Sequence, residues 1–587
     1  MKYIVRLTLG LLISSSLVVL GCTEPNPGYY TGDGASWLGD WGGYGTDFRY
    51  GSDWLPLPDG GGPIVDTLNP LPDGQVIPPD SEPVYCSSDS QCDDGLWCTE
   101  DSCDGVRCVS THSTGCLIDG QCYANFKPNP ANPCQQCSEA YPTSWQGIGD
   151  NIPCPDDGIE CTKDICYAGV CAHLLQEGNC LVGSACYGEG NVGQCEECIP
   201  SLSASTLTPT NGKACAPSSP DKIAGMCVDS ICKGWVEAHI DPDPGNSTSS
   251  TLKTVAFVAA DNTFWAGGAY RDSSQGQWGD YSGFLVRLDP ATMSTPNVKT
   301  VDAEVVDMHH NLAVDGDNGY YHFSNGKWQD VDVLKKTSRD RVWGVSLNTN
   351  EEVYFLAGED KDNTAPLYRC NFTVSSQKMN CAGFQTSYGG QDLGPIWGFL
   401  DPSGNGHISL WTAATGQYDD IYAYQSASNL WSPKAPLGCT DANGTVCNLS
   451  INGQDFKGVY GTGPSDLWLV GENGVILHYN GGSWTTISSG LVEQAYYDLI
   501  DVFADAKLVT IVARVQWQGG QTVALFNYDR ALQRWHGPIE LKVALSWQES
   551  TDVNAMAGSS YDNLWMVGTD LEWLPSPAQR AWALRLE

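Results

Sequence analysis

Of the 25 cysteines in this 587-residue chain, twenty lie between Cys86 and Cys232. A reducing cytosol would not keep so many thiols paired, so the chain is expected to fold in an oxidising, exported setting. The same stretch is poor in large apolar residues, and modules of about 60 residues that cannot bury a core need staples. Closing a loop of about 15 residues with a disulfide contributes roughly 3 kcal/mol in the chain-entropy account. The region therefore reads as a disulfide-held array rather than a globular core.

Two copies of one module are visible. Cys98, Cys103, Cys108, Cys116, Cys122, Cys134 and Cys137 recur as Cys161, Cys166, Cys171, Cys180, Cys186, Cys195 and Cys198. A truncated third copy keeps Cys215, Cys227 and Cys232. The spans are 86–150, 151–212 and a partial 213–232. Spacing alone does not give the pairing. The pairs Cys134-x-x-Cys137 and Cys195-x-x-Cys198 lack the matching His or second pair of a zinc site, and are expected to be structural disulfides. Each copy opens on an Asp-Asp-Gly turn, Asp93-Asp94-Gly95 and Asp156-Asp157-Gly158, with Asp101 and Asp164 nearby. Such oxygen clusters suit Ca²⁺, the one cofactor the sequence suggests; plain turn chemistry is the competing account. The Cys-Asp-Asp-Gly and Cys-Thr-x-Asp-x-Cys pattern resembles the cysteine-rich repeats of surface proteins from myxobacteria and related deltaproteobacteria. That resemblance implies an extracellular module.

Lys2 and Arg6 precede an apolar run from Leu7 to Leu20, too short to span a bilayer comfortably and fitting a signal peptide over residues 1–21. The run ends in Val19-Leu20-Gly21-Cys22, which resembles the bacterial lipobox. The resemblance implies that Cys22 becomes an acylated N-terminus, anchoring the chain to a membrane through lipid alone. Setting Cys22 aside leaves 24 cysteines, an even number. Thr23 in place of Asp resembles an outer-membrane address, so the expected location is the cell envelope, lipid-anchored at the outer membrane and surface-exposed, with a periplasm-facing orientation as the alternative. Residues 22–85, punctuated by Gly-Gly, Pro-Asp-Gly and Pro-Pro, read as a disordered, lipid-anchored tether.

After Cys232 the texture changes. Ser465-Asp-Leu-Trp-Leu-Val-Gly471, a turn at Asn473-Gly474, Val475–Tyr479, a turn at Asn480-Gly481 and Trp484 outline successive strands of one β-unit. The small residue closing the first of these strands recurs at Gly268, Gly316, Gly358, Ala414, Gly471, Ala513 and Gly568, a span of 300 residues in six steps. Trp265, Phe355, Trp468 and Trp565 stand three residues before theirs. A closing Met or Trp recurs at Met293, Trp328, Met379, Trp431, Trp484 and Trp535. Four-stranded units at this period are the β-propeller signature. The fold class expected is thus mainly β: tandem disulfide repeats, then a seven-bladed propeller over 233–587. The last unit lacks room for a fourth strand, and Trp235–Ile240 is expected to supply it. The units resemble the divergent propeller repeats of deltaproteobacterial lipoproteins. Cys370 with Cys381, and Cys439 with Cys447, are expected to form local disulfides.

With 30 basic against 69 acidic residues, the formal charge of −39 argues against nucleic acid as a partner. No nucleophile elbow, Walker loop, His-Glu-x-x-His or Rossmann fingerprint occurs. His309-His310 is the best metal fragment, yet adjacent strand residues point to opposite faces. Asp419-Asp420 and Glu351-Glu352 are the candidate carboxylate pairs. The expected role is a non-enzymatic binding or adhesion module for a protein or glycan. The alternatives are a propeller polysaccharide hydrolase or lyase and a structural envelope component.

Overall fold

A computed structural model describes residues 85–587 except 241–246, 273–280, 289–297, 318, 334–340, 358–366, 385–391, 402–406, 416–420, 426–429, 434–454, 488–496, 518–519, 542–549 and 573–577. The signal, Cys22, the tether, Cys439, Cys447 and Asp419-Asp420 lie outside the described residues.

The cysteine-rich region is built from short antiparallel hairpins. Thr99–Cys103 pairs with Cys108–His112, and Thr162–Tyr167 pairs with Val170–Leu175 in the second copy. Ten disulfides hold them. Within the copies, Cys92–Cys108 corresponds to Cys154–Cys171 and to Cys215–Cys232 of the third copy, Cys98–Cys122 to Cys161–Cys186, and Cys116–Cys137 to Cys180–Cys198. The remaining class crosses from one copy to the next: Cys134–Cys166 and Cys195–Cys227, with Cys86–Cys103 in the same place at the start. The two Cys-x-x-Cys pairs are therefore not internally bonded; each splits between an in-copy and a cross-copy bridge. Asn132 supports the first crossing by donating its side-chain amide to the Gly169 carbonyl at 2.9 Å.

Seven blades of four antiparallel strands follow: blade 1 (247–301), blade 2 (305–330), blade 3 (341–384), blade 4 (392–433), blade 5 (456–486), blade 6 (497–541) and blade 7 (550–586); in blade 3 the short strand Asp332–Val333 adds a fifth, parallel to Lys378–Phe384. The fourth strand of blade 7 is Ile231–Ile240, which runs antiparallel to Ala578–Leu586 with Trp235 opposite Leu586 and Ile240 opposite Ala581. The first strand of each blade touches the first strand of the next, and Ser550–Ser560 of blade 7 touches Ser247–Val258 of blade 1. This closes a ring of seven, the arrangement of a β-propeller, and leaves no long sheet edge at the seam.

The packing explains the recurring residues. At Gly268 and Gly568 a Cβ would lie 1.9 and 2.0 Å from the carbonyl oxygens of Thr251 and Asp552, where the bulged first strand presses on the second. Only a very small residue fits that approach. The second-strand aromatic of one blade meets the closing Trp of the next edge-on. Trp265 meets Trp328 at 5.7 Å, Trp411 meets Trp484 at 6.0 Å and Trp468 meets Trp535 at 6.3 Å, with interplanar angles of 80–82°. Edge-to-face aromatic pairs are worth about 0.5–1.5 kcal/mol beyond their burial. The repeated tryptophans are thus the cement between blades.

The composition break at 232/233 is not a structural joint. Ile231–Ile240 begins as one arm of the third copy's hairpin and ends as an outer propeller strand, giving one six-stranded sheet from Ala214–Cys215 to Ser550–Ser560. Met226 and Val228 of the third copy share a core with Trp235, Leu508, Val523, Leu564 and Trp582 of the head. Around it, Lys507 donates to both Asp229 carboxylate oxygens at 2.9 and 3.0 Å and to the Tyr561 hydroxyl at 2.7 Å. Asn527 donates to the Gly212 carbonyl at 3.0 Å, and Arg534 pairs with the buried Glu197 of the second copy at 2.7 Å.

Candidate functional site

The Asp-rich turns are organised by hydrogen bonds to their own loops. Asp93 accepts from the Gly95 amide at 2.9 Å. Asp94 accepts from the Leu96 amide at 2.8 Å and from the Thr99 and Ser110 hydroxyls at 2.9 Å, while Asp101 accepts from the Asp94 amide at 3.0 Å. The second copy repeats the pattern, with Asp156 accepting from Gly158 and Asp157 from Ile159 and Thr162. Where the first copy has Ser110, the second has His173, whose Nδ1 lies 2.5 Å from Asp164 and 3.5 Å from Asp157. The hydrogen bond to Asp164, helped by Asp157, raises the His173 pKa. Asp93, Asp94 and Asp101 bring one oxygen each within 4.8 Å of one another, and Asp157 and Asp164 do the same with a ring nitrogen of His173. Turn formation already occupies much of their hydrogen-bonding capacity.

Within the head, two first-strand aspartates bond across blade boundaries. Asp307 of blade 2 accepts from the Met308 amide at 2.9 Å and, across the blade boundary, from the Val342 amide of blade 3 at 2.8 Å. Asp501 of blade 6 does the same toward blade 7, accepting from Val502 at 2.8 Å and Met556 at 2.9 Å. Both aspartates directly follow a bulge in the first strand, which turns the side chain toward its neighbour. Burial is the main cause that pushes the Asp501 carboxyl up to about 7. The amides of Met556 and Val502 oppose that shift; the Asp307 carboxylate adds to it, and the Arg341 guanidinium of blade 3 opposes it. A blade 6 carboxylate that senses groups on blades 2 and 3 sits near the ring axis.

Two further hubs tie blades together. Glu352 accepts from Asn311 of blade 2 at 2.9 Å, lies 2.7 Å from His322 Nε2 and accepts from the Tyr354 hydroxyl. Burial raises its pKa, but His322, Tyr354 and Asn311 outweigh it and hold the carboxyl at about 2. Asp466, the acid of Ser465-Asp466-Leu467-Trp468, accepts from Thr462, from Trp468 Nε1 at 3.1 Å and from Arg530 of blade 6 at 2.7 Å, with His478 Nε2 at 2.8 Å. Burial again raises the carboxyl, and these partners hold it well below the usual carboxylate range. Blade 1 keeps the part of this arrangement that lies within one blade, with Trp265 Nε1 donating to Asp261 at 3.0 Å and Arg287 of its own third strand, in the place of His478, at 3.2 Å.

The sequence candidates disperse. His309 takes the Gly344 amide on Nδ1 at 3.1 Å, and burial drives it down to about 3; His310 instead lies 2.7 Å from the Ser346 hydroxyl. The two imidazoles do not converge. Glu351 pairs with Asn348 at the surface while Glu352 is buried, so that doublet diverges too. Cys370 is bonded to Cys381. Cys98, Cys103, Cys108, Cys161, Cys166 and Cys171 are all in disulfides, with partners Cys122, Cys86, Cys92, Cys186, Cys134 and Cys154. Sequence reasoning missed Asp307 and Asp501, whose roles depend on bulge register, and Arg341, which opens the first strand of blade 3. It also missed Trp411, which stands three residues before Ala414 and was open to the same spacing rule.

No protein-family model matches the chain, and no curated protein matches it. Among solved structures it is similar to "YCF48 bound to D1 peptide", at 14% identity and a TM-score of 0.28, covering 51% of this chain and 96% of that one. It is likewise similar to YCF48 from Cyanidioschyzon merolae, at 14% identity and a TM-score of 0.26, covering 48% and 96%.

Proposed function

We propose that the chain is an outer-membrane lipoprotein, acylated at Cys22 and surface-exposed, whose propeller binds a protein or glycan without catalysing its conversion. The observation that carries this reading is the use made of the head's buried and half-buried carboxylates. Asp307, Asp501, Glu352 and Asp466 each bond from one blade to the next, the work of a rigid display scaffold. Ten disulfides in the array support an exported location. Glycan arrays and pull-downs with residues 23–587 test the reading. Saturable binding without turnover is the expected result, and turnover of a polymer lost on changing a head residue contradicts it. Radiolabelled palmitate incorporated into the full chain, and lost with Cys22→Ala, is expected for the anchor.

A polysaccharide hydrolase or lyase is the second reading, favoured by one observation. A carboxyl held at about 7 near the axis, as Asp501 is, has the poise of a general acid. Under that reading Asp501→Asn abolishes turnover while leaving ligand affinity intact.

A further inference from the structure

We infer that residues 86–232 form a nick-tolerant, nearly inextensible linkage, a mechanical function that lies in the order of the disulfides rather than in their number. Each disulfide loop overlaps the next along the whole array: 86–103, 92–108, 98–122, 116–137, 134–166, 154–171, 161–186, 180–198, 195–227 and 215–232. Every peptide bond between Cys86 and Cys232 therefore lies inside at least one closed loop, and no single cut can part the chain. Two cuts cannot either. A division that leaves all disulfides whole and puts Cys86 and Cys232 on opposite sides must change sides an odd number of times along the chain, so three cuts are the minimum. Cuts between 108 and 116, 116 and 122, and 122 and 134 make one such set.

The same overlap shortens the load path. A pull from Cys86 to Cys232 crosses at 86–103, 98–122, 116–137, 134–166, 161–186, 180–198 and 195–227. Between the crossings it runs only through 98–103, 116–122, 134–137, 161–166, 180–186, 195–198 and 227–232. Of the 146 residue steps in the array, 33 carry load. Fully extended, that path reaches about 150 Å, against about 500 Å for the same chain without cross-links. Its far end, Cys232, sits inside the strand that closes blade 7, so the linkage enters the head with no hinge between them. The two cross-copy bridges are indispensable: without Cys134–Cys166 the bonds from 137 to 154 are unspanned, and without Cys195–Cys227 those from 198 to 215 are. Cys92–Cys108 and Cys154–Cys171 are redundant for continuity, because their neighbours already overlap. The inference stands on the array alone; failure of ligand binding, or of acylation at Cys22, would leave it intact.

Limited Glu-C digestion of the full chain tests it, since Glu139 and Glu177 are exposed in the array. Molecules nicked after Glu139 are expected to run at full mass on non-reducing gels and to split only on reduction. Cys134→Ser with Cys166→Ser is expected to release the head from the same nick without reductant, whereas Cys92→Ser with Cys108→Ser is not. Should the first pair fail to fold, pulling the wild-type chain by its ends decides the matter. The array should yield no more than about 150 Å of contour when oxidised, and about 350 Å more with reductant. Release of the head by one nick under oxidising conditions, or oxidised extension well beyond that length, overturns the inference.

Discussion

In the array the fully buried side chains are mostly cysteines (Cys98, Cys116, Cys134, Cys137, Cys166, Cys180, Cys198), while in the head they are Trp, Phe, Leu and Val. Several large apolar residues of the array stay outside, Trp97, Phe126, Tyr141 and Tyr167 being more than half exposed, while few, such as Ile118 and Ile165, are buried among the bridges. The head instead sandwiches sheet against sheet, and its described residues hold one disulfide, Cys370–Cys381. Covalent loops and buried surface are thus alternative answers to the same conformational entropy. The third copy shows where one answer gives way to the other. It lacks the later cysteines of the earlier copies, and head residues such as Leu508, Leu564 and Trp582 pack where those bridges would have served.

The largest effect expected from this contrast is differential unfolding. Reductant should collapse the protease resistance of residues 86–213 while the head stays folded, which digestion followed by mass mapping reads directly. A head that unfolds together with the array would break the comparison. Next comes the joint: Trp235→Ala removes a fully buried ring shared by both regions and should cost about 3–5 kcal/mol in chemical denaturation. An effect below about 1 kcal/mol would mean that the shared core is not one unit.

Asp466→Ala strips a mostly buried hub from Trp468, His478 and Arg530 and should cost about 2 kcal/mol. Asp466→Asn should cost less, since the amide keeps one acceptor. The pH dependence of the head has two opposed parts. Glu352, held at about 2, contributes stability above its unfolded value of 4.5 that is lost as pH falls toward 2. Asp501, raised to about 7, binds its proton more tightly when folded, so its contribution favours the fold below about 4 and is lost as pH rises to 7. Asp501→Leu, which cannot ionise, should therefore flatten the fall in melting temperature between pH 5 and pH 7. The smallest effect belongs to the array: His173→Ser, which restores the first copy's residue, should leave melting unchanged at alkaline pH, where the imidazole is neutral, and lower it only where His173 is protonated and paired with Asp164.

Much of the head could be read from the sequence because its constraints are local and repeated. The spacing of Gly268, Gly471 and Gly568 reports a steric contact, and Trp328 and Trp484 report an aromatic pair, each recurring with the blade. Trp235–Ile240 was legible as the closing strand because the seventh unit was one strand short. Disulfide pairing was not legible, because Cys134 is as close in sequence to Cys137 as any ligand pair, and only the fold carries it to Cys166. Nor were Asp307 and Asp501, since one bulged residue decides which face a strand side chain takes.

Non-reducing peptide mapping by mass spectrometry tests the covalent side of this contrast most directly. The account predicts linked peptides joining Cys134 to Cys166 and Cys195 to Cys227, bridges that cross from copy to copy. Linkage of Cys134 to Cys137, or any pairing confined within each copy, would contradict it.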